Sequence, residues 1–178
     1  MEKDGLSLKY ASKRLRNDRD VVITAINENP LALEYASNNL KNDKIIIWNV
    51  VESNGLLLHL ASEELRNDKD IVLPAVKQNG LALKYASKIF NKSSLKGYYH
   101  DLQFDMDIVI EAVKNNGHSL IYVPDRLKRN KKIMNIALKN IYFIDYFKLK
   151  SRGIARYHDY LFDSIFLELS FVSILRFY

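Results

Sequence analysis

The fold is decided by a stretch of 21 residues, from Asn67 to Ser87, that reads NDKDIVLPAVKQNGLALKYAS. Its first half carries apolar residues at i, i+1, i+4 and i+5, which lie on one face of a helix: Ile71, Val72, Ala75 and Val76. Asp68 precedes this face by three residues and is expected to cap the helix by accepting hydrogen bonds from its free backbone N–H groups. The helix is expected to end at Asn79-Gly80, because glycine readily adopts the left-handed conformation that closes many helices.

The same pattern recurs along the chain with a period of 25 residues. The capping position gives Asp18, Asp43 and Asp68, and the serine position gives Ser12, Ser37, Ser62 and Ser87. After Lys88 the register shifts by 12 additional residues, so that Asp105 matches Asp68, and Asn130 then follows Asp105 at the regular distance. A repeat of this length is typical of a solenoid, in which stacked units share one continuous core.

Each unit is predicted to contain two short helices, the second of which carries Leu83, Ala86 and Phe90. The small Ala-Ser pair in this second helix is expected to let neighbouring helices approach closely. We therefore predict an all-α fold, a helix-turn-helix repeat solenoid of 25-residue units with a C-terminal cap helix. The single domain, 1–178, is expected to contain a half unit at 5–17, units at 18–42, 43–67, 68–104 (with an insertion at 91–104) and 105–129, a degenerate unit at 130–152, and the cap helix at 153–178. The start within a unit favours a fragment of a longer array.

The repeated pattern resembles the family of domain of unknown function 4116. The shared text is Asp-x-x-[Ile/Val]-Val-x-x-Ala-[Val/Ile]-x-x-x-Gly-x-x-Leu-x-Tyr-Ala-Ser-x-x-Leu-[Arg/Lys]-Asn-Asp, and the match is closest at 18–87 and at 105–122. The resemblance implies a helical repeat with an interaction role, because the family has no catalytic motif to transfer. It also implies a setting among effector-like proteins of intracellular bacteria.

Composition narrows the class of protein. Hydrophobic residues make up 48% of the 178 residues and charged residues 27%, which is typical of a globular chain. The absence of cysteine excludes disulfides and thiolate metal sites. No histidine pair at helical spacing and no phosphate-binding or nucleophile motif occurs, so no metal, cofactor or catalytic residue is predicted. The N-terminus lacks a signal-peptide pattern, and no run of about 20 apolar residues occurs. This favours a cytoplasmic location, or delivery to a host cell for an effector.

Positive charge is concentrated in the C-terminal third. The net charge is +6, and the segment between Asp125 and Arg152 carries nine basic residues and two acidic ones. This basic segment, 126–152, is a candidate contact for nucleic acid or an anionic membrane, because lysine and arginine bind phosphates. Its aromatic residues could stack on bases: Tyr142, Phe143, Tyr146 and Phe147. The alternative is the solvated face of a helix whose core positions are Ile133, Met134, Ala137 and Leu138.

Two regions supply the candidate partner-binding residues. In the insertion they are Tyr98, Tyr99 and His100, and in the basic segment they are Arg126, Lys128, Arg129, Lys131 and Lys132. An exposed column at repeat spacing offers further candidates, namely Lys9, Glu34, His59 and Lys84. A second column, Tyr10, Tyr35, Tyr85 and Tyr122, is interpreted as packing between units rather than as a stacking platform. The recurring aspartates are interpreted as helix caps rather than as cation ligands.

Three functions remain open at this point. The first is a non-catalytic protein–protein interaction module with an unknown protein partner. The alternative is a nucleic-acid or anionic-membrane binder that acts through segment 126–152. An enzyme with its site in the insertion is disfavoured, because adjacent residues of one loop rarely supply the geometry of a catalytic triad. The apolar tail additionally favours an oligomer formed through the C-terminal helix.

Overall fold

The computed structural model describes residues 4–86 and 102–141, and the predictions made for 87–101 and 142–178, including the cap helix, lie outside the described residues. The described residues form helices and no strands, as predicted for an all-α repeat. Their α-helices are α1 (Lys13–Arg16), α2 (Arg19–Glu28), α3 (Lys44–Ser53), α4 (Lys69–Gln78), α5 (Met106–Asn115), α6 (Asp125–Lys128) and α7 (Lys131–Lys139). Between them lie 3₁₀ helices at Gly5–Tyr10, Pro30–Tyr35, Leu40–Asn42, Gly55–Leu60, Leu65–Asn67, Gly80–Tyr85, Leu102–Phe104 and Gly117–Tyr122.

Each long α-helix begins at the capping residue predicted from the repeat. The carboxylate of Asp105 accepts hydrogen bonds from the backbone N–H groups of Asp107 and Ile108 at 2.9 and 3.3 Å. Asp18, Asp43 and Asp68 cap α2, α3 and α4 in the same way, and the side-chain oxygen of Asn130 caps α7. The predicted N-caps are therefore confirmed, and the recurring aspartates have a structural role at the start of each helix.

The apolar face of each long α-helix is buried in a core that continues from unit to unit. In α4 this face consists of Ile71, Val72, Ala75 and Val76, which are fully buried. In α7 it consists of Ile133, Met134, Ala137 and Leu138, which are buried as predicted for core positions. Helices α3, α4, α5 and α7 pack side by side in chain order. One helix pair alone could not bury these faces, whereas the stack buries them on both sides.

A single asparagine forms the turn between the two halves of a unit. The backbone N–H of Asn79 donates to the carbonyl oxygen of Ala75 at 2.9 Å and thereby ends α4. Its side-chain oxygen accepts from the N–H of Leu81 at 3.1 Å and thereby starts the next 3₁₀ helix. The residue itself is extended, with φ of −147° and ψ of 110°. The same arrangement recurs at Asn29, Asn54 and Asn116.

The second half of a unit is not one continuous helix, so that prediction is wrong. After the 3₁₀ helix Gly55–Leu60, Ala61 is extended, with φ of −68° and ψ of 156°. Ser62 then starts a new short turn, because its hydroxyl oxygen accepts a hydrogen bond from the N–H of Leu65 at 3.2 Å. Ser12 and Ser37 act in the same way. The Ala-Ser pair thus interrupts the helix, as expected when a serine side chain takes up free backbone donors.

The same serine also connects consecutive units. The backbone N–H of Ser62 donates to the carbonyl oxygen of Lys41 at 2.9 Å, and its hydroxyl donates to Oδ1 of Asn42. Ser37 forms the equivalent two bonds with the carbonyl oxygen of Arg16 and with Oδ1 of Asn17, at 2.9 and 2.6 Å. These bonds hold one unit in a fixed register against the next.

The glycine after the asparagine turn has a role that the sequence analysis did not predict. None of Gly5, Gly55, Gly80 and Gly117 has a φ in the left-handed region, so the predicted helix-closing conformation is wrong. Each glycine instead lies against the carbonyl oxygen of an alanine in the next unit, and an added Cβ would lie 2.1–2.2 Å from that oxygen. The facing residues are Ala25, Ala75, Ala112 and Ala137. Glycine is required here because no side chain fits between the two backbones.

One junction lacks this close approach. Pro30 occupies the glycine position of its unit, and Val50 occupies the position of the facing alanine. Helix α2 has almost no backbone contact with α3, and the 3₁₀ helix Pro30–Tyr35 also has almost none with α3. Pro30 is the first residue of its 3₁₀ helix, as predicted for a proline at this position. The backbones are therefore farther apart between α2 and α3 than at the neighbouring junctions.

Candidate interaction surfaces

A ladder of ion pairs runs along the N-terminal ends of the α-helices. The first residue of a helix is a cation that reaches the acids at the start of the next long helix. Arg19 lies 3.0 Å from Asp43. Lys44 lies 2.7 and 2.8 Å from Asp68 and Asp70, and Lys69 lies 2.9 Å from both Asp105 and Asp107. The cations are about half exposed, so each pair contributes only modestly to stability.

These contacts shift the pKa values of Asp105 and Lys69 in opposite directions. Burial raises the pKa of the Asp105 carboxyl, but hydrogen bonds from Lys69 and from the backbone N–H groups of Ile108 and Asp107 outweigh it and hold that pKa below its ordinary value. The pKa of Lys69 is raised by its hydrogen bonds to Asp107 and Asp105. Among the described residues, no group of three histidine, aspartate or glutamate side chains is placed to hold a metal ion. Asp43, Asp68 and Asp105 each cap a helix and pair with a cation of the preceding unit.

The ladder ends where the basic segment begins. Met106 replaces the cation at the start of α5, and Asn130 and Lys132 replace the acids at the start of α7. Lys131 and Lys132 are exposed and take part in none of the ion pairs found among the described residues. Helix α7 thus starts with two available positive charges at a place where α4 and α5 carry an aspartate.

The other predicted residues of the basic segment differ in exposure. Arg126 and Arg129 are exposed. The side chain of Lys128 is only 11% exposed, and its ammonium group lies 2.9 Å from the carboxylate of Asp125, whose pKa it lowers. The basic surface near the start of α7 therefore depends on Arg126, Lys131 and Lys132 more than on Lys128. The predicted residues of the insertion, Tyr98, Tyr99 and His100, lie outside the part of the chain that the structure describes.

The predicted column of Lys9, Glu34, His59 and Lys84 is exposed in each of its units. At its centre the ring of His59 lies 5.2 Å from the ring of Tyr85, and the ammonium group of Lys84 lies 5.3 Å from that ring. Nδ1 of His59 donates to the carbonyl oxygen of Leu56 at 2.8 Å, which leaves Nε2 as a hydrogen-bond acceptor in the neutral ring. These residues form one small polar and aromatic cluster on the surface.

The tyrosine column agrees with the packing interpretation in three of its four members. Tyr35, Tyr85 and Tyr122 are partly buried and pack against the core. Tyr10 is 84% exposed and does not follow this interpretation. The ring of Tyr85 contacts His59 of the preceding unit. No described residue precedes the half unit of Tyr10 to cover it in this way.

Sequence reasoning missed another column, at the C-terminal ends of the α-helices. Lys77, Lys114 and Lys139 are each the ninth residue after an N-cap, and all three are exposed in the last turn of α4, α5 and α7. We call these three residues the lysine edge. In α2 and α3 the same position holds Asn27 and Glu52. The column becomes visible when the units are aligned at their N-caps. It does not recur as one residue type, because the two earlier units carry asparagine and glutamate at this position.

A cavity of about 560 Å³ adjoins the lysine edge. Its described lining comes from the ends of α5 and α7 and from the turn after α5: Asn115, Asn116, His118, Lys139, Asn140 and Ile141. The side chain of Asn115 is already engaged, because it accepts from the N–H of Gly80 and donates to the carbonyl oxygen of Lys77, both at 2.7 Å. The cavity is therefore polar, and Lys139 supplies the permanent positive charge among these lining residues.

Exposed apolar residues occur together on α3. Ile45 is 64% exposed and Trp48 is 41% exposed, one turn apart. The residues that correspond to Trp48 in the other units, Ile23, Leu73 and Ile110, are partly buried and pack against the core. Trp48 is thus more exposed than its counterparts, and it lies on the helix that borders the wider junction.

Comparison with known sequences gives one family. The sequence model described as "Domain of unknown function (DUF4116)" matches residues 1–41, 43–91 and 105–150, which together cover most of the chain. No match was found among curated proteins or among solved structures. Within the described ranges, no helix combines the length and the apolar character that crossing a membrane requires.

Proposed function

Because the chain belongs to the DUF4116 family and repeats its unit in tandem, we propose that it is a non-catalytic module that binds another protein along the exposed columns of its helices. Stacked helix pairs form an extended surface, on which each unit contributes one side chain to every column. Such a surface suits the recognition of an extended partner.

A division of roles between positions carries this proposal. The positions that recur from unit to unit cap a helix, form a turn or allow close packing, as Asp68, Asn79 and Gly80 do. The column that contains Glu34, His59 and Lys84 takes no part in capping or turn formation, and its charge changes from unit to unit. A binding surface has this property, because its side chains are chosen for the partner while the scaffold stays constant.

Affinity capture tests the proposal. The chain is used to capture proteins from its own cells and from host cells, with and without nuclease, since the family resemblance implies an effector setting. We expect a protein that is retained after nuclease treatment. A variant with Glu34→Lys and Lys84→Glu keeps the net charge and is expected to lose the captured protein without a change in melting temperature.

A control variant, Lys13→Glu with Glu28→Lys, makes the same type of exchange at exposed positions outside the column. It is expected to capture the partner as the unchanged chain does. Equal capture by the column variant, or loss of all captured protein after nuclease, would contradict the proposal.

A second function is favoured by the start of α7. Lys131 and Lys132 carry charge that no described acid neutralises, and Arg126 is exposed on α6, which packs against α7. This arrangement supports contact with the phosphates of nucleic acid or of an anionic membrane. Replacing both lysines by glutamine is expected to weaken binding to single-stranded nucleic acid. The slope of log K against log[salt] is expected to become less steep by about 1.4. Absence of binding at low salt, to nucleic acid and to anionic vesicles alike, removes this second function.

A further inference from the structure

The lysine edge is a row of cations across three successive long helices. Lys77, Lys114 and Lys139 occupy the same turn of α4, α5 and α7, and these helices pack side by side. Packed helices lie about 8–10 Å apart, so the positive charges recur at about that interval. The row is a consequence of the repeat, because one position in the unit generates all three side chains.

These charges are available for an external partner. Lys77 and Lys139 form none of the ion pairs seen among the described residues, and Lys114 has only Glu111 of its own helix, at 3.4 Å with a side chain that stays 65% exposed. At the opposite end of the helices the situation is reversed, because Lys44 and Lys69 are paired with aspartates of the next unit. The two edges of the helix layer therefore differ. At the N-terminal ends of the helices, lysines pair with aspartates of the next unit, and at the C-terminal ends they are exposed to solvent.

The helix dipole alone does not account for the row. A lysine in the last turn is favoured by the partial negative charge of a helix C-terminus. However, α2 and α3 form equally long helices with Asn27 and Glu52 at the same position. The change from asparagine and glutamate to three consecutive lysines thus needs a reason other than helix formation.

The cavity beside Lys139 adds a place where one anionic group can be enclosed. In its described lining the side-chain amides of Asn115 and Asn140 already donate to backbone carbonyl oxygens, so the ammonium group of Lys139 is the charged donor that the cavity offers. A carboxylate suits this cavity, because it accepts hydrogen bonds from an ammonium group and balances its charge.

We propose that the lysine edge binds an acidic, extended segment of the protein partner, with one carboxylate in the cavity beside Lys139. This inference rests on the proposed function and specifies the chemistry of its partner. A chain in the extended polyproline II conformation advances about 3.1 Å per residue with three residues per turn, so acidic residues at every third position lie on one side, about 9 Å apart, and match the row. Nucleic acid fits less well, because Asp70 and Asp107 lie seven residues before Lys77 and Lys114, about 10 Å away along the helix axes. On α4 and α5 they confine the positive surface to a narrow strip.

A binding titration with defined peptides tests the proposal. The probe is a fluorescent peptide with glutamate at every third position, and the comparison peptides carry glutamine in place of glutamate or the same glutamates in one block. We expect saturable binding of the spaced peptide, weaker binding of the block and none of the glutamine form. Replacing Lys77, Lys114 and Lys139 by glutamine is expected to lower the affinity about tenfold.

A control replaces Lys13 and Arg14 by glutamine, which removes positive charge from exposed positions outside both the lysine edge and the column that contains Glu34, His59 and Lys84. It is expected to bind the spaced peptide as the unchanged chain does. The variant Glu52→Lys extends the row by one unit and is expected to bind a longer spaced peptide more tightly. Unchanged melting temperatures establish that all variants are folded.

Three results would overturn the inference: equal losses in the lysine-edge and control variants, equal binding of spaced and block peptides, or tighter binding of single-stranded DNA than of peptide at the same sites. The result for the proposed function is read separately. If the lysine-edge variant still captures the cellular partner, the proposed function stands and this inference fails. If the unchanged chain binds the spaced peptide but captures no protein, the proposed function fails, whereas the affinity of the lysine edge for acidic peptide stands.

Discussion

Gly80 lies so close to the carbonyl oxygen of Ala112 that a Cβ on the glycine would be 2.2 Å from that oxygen and 2.7 Å from Oγ of Ser119. This contact joins two units that are separated in the sequence by the insertion. It shows that the spacing between units is set by backbone against backbone. The junctions of the array should therefore respond to a single added methyl group.

The variant Gly80→Ala is expected to destabilise the chain by about 1–3 kcal/mol, because the added Cβ forces the two backbones apart. Urea unfolding measures the change in free energy. The exposed residue Lys84, on the same 3₁₀ helix, provides the control, and Lys84→Ala is expected to stay within about 0.5 kcal/mol of the unchanged chain. Equal stability of both variants would show that the junction yields without cost.

The junction between Pro30 and Val50 is expected to behave as a coupled pair. Val50→Ala alone should cost about 2 kcal/mol, because it removes two buried methyl groups while Pro30 still keeps the backbones apart. With Pro30→Gly added, the backbones can approach as they do at Gly55 and Ala75. The double variant should thus lose less stability than the sum of the two single variants.

Fluorescence offers an independent measurement at this junction. Trp48 is the one tryptophan of the chain and lies on α3. Closing the junction should shift its emission to shorter wavelength and reduce its quenching by acrylamide. Additive free energies together with an unchanged tryptophan spectrum would contradict the explanation given for the wider junction.

The serine that joins consecutive units is expected to contribute more than a helix cap alone. Ser62→Ala removes both the cap of Leu65 and the bond to Asn42, whereas Ser12→Ala removes only the cap of Leu15. We expect a loss of about 1 kcal/mol for Ser12→Ala and about 1 kcal/mol more for Ser62→Ala. Thermal or urea unfolding provides the comparison. Equal losses would mean that the bond between units adds nothing to stability.

The pH dependence of stability should report on Asp105. Its pKa in the folded chain lies below the ordinary value, so its carboxylate contributes stability that is complete above the unfolded pKa, near 3.9. That contribution is lost as the pH falls through the lowered folded value. Asp105→Asn can still cap α5, as Asn130 caps α7, but it cannot titrate. We therefore expect the variant to be less stable than the unchanged chain at pH 7, and the difference to shrink as the pH falls through the folded pKa of Asp105. A difference that stays constant in acid would contradict the assignment.

Local signals in the sequence were sufficient for the helices but not for their contacts. The caps at Asp18, Asp43, Asp68 and Asp105 were predicted because an N-cap depends on residues within one turn. The role of Gly80 was predicted wrongly because its partner, Ala112, is 32 residues away and belongs to another unit. A glycine selected for space has the same sequence signal as a glycine selected for its φ angle.

The candidate surfaces also contain features that the repeat pattern predicts and features that depend on side-chain contacts. The exposure of Lys9, Glu34, His59 and Lys84 followed directly from the period of the repeat. The burial of Lys128 did not, because it depends on a side-chain contact with Asp125 within a helix of four residues. The lysine edge has no recurring sequence signal, because Asn27 and Glu52 replace lysine at the same position in the two earlier units.

The ion pair between Lys69 and Asp105 has a consequence for how the array can acquire new sequence. It is formed across 36 residues, whereas Arg19 and Asp43 form the equivalent pair across 24. The additional loop-closure entropy for this difference is only about 0.4 kcal/mol. The intact pair shows that a connection can lengthen by half a unit while the two helices keep their normal junction. This connection should therefore accept foreign peptides, such as an affinity epitope or a protease site, at little cost to the stability of the stack.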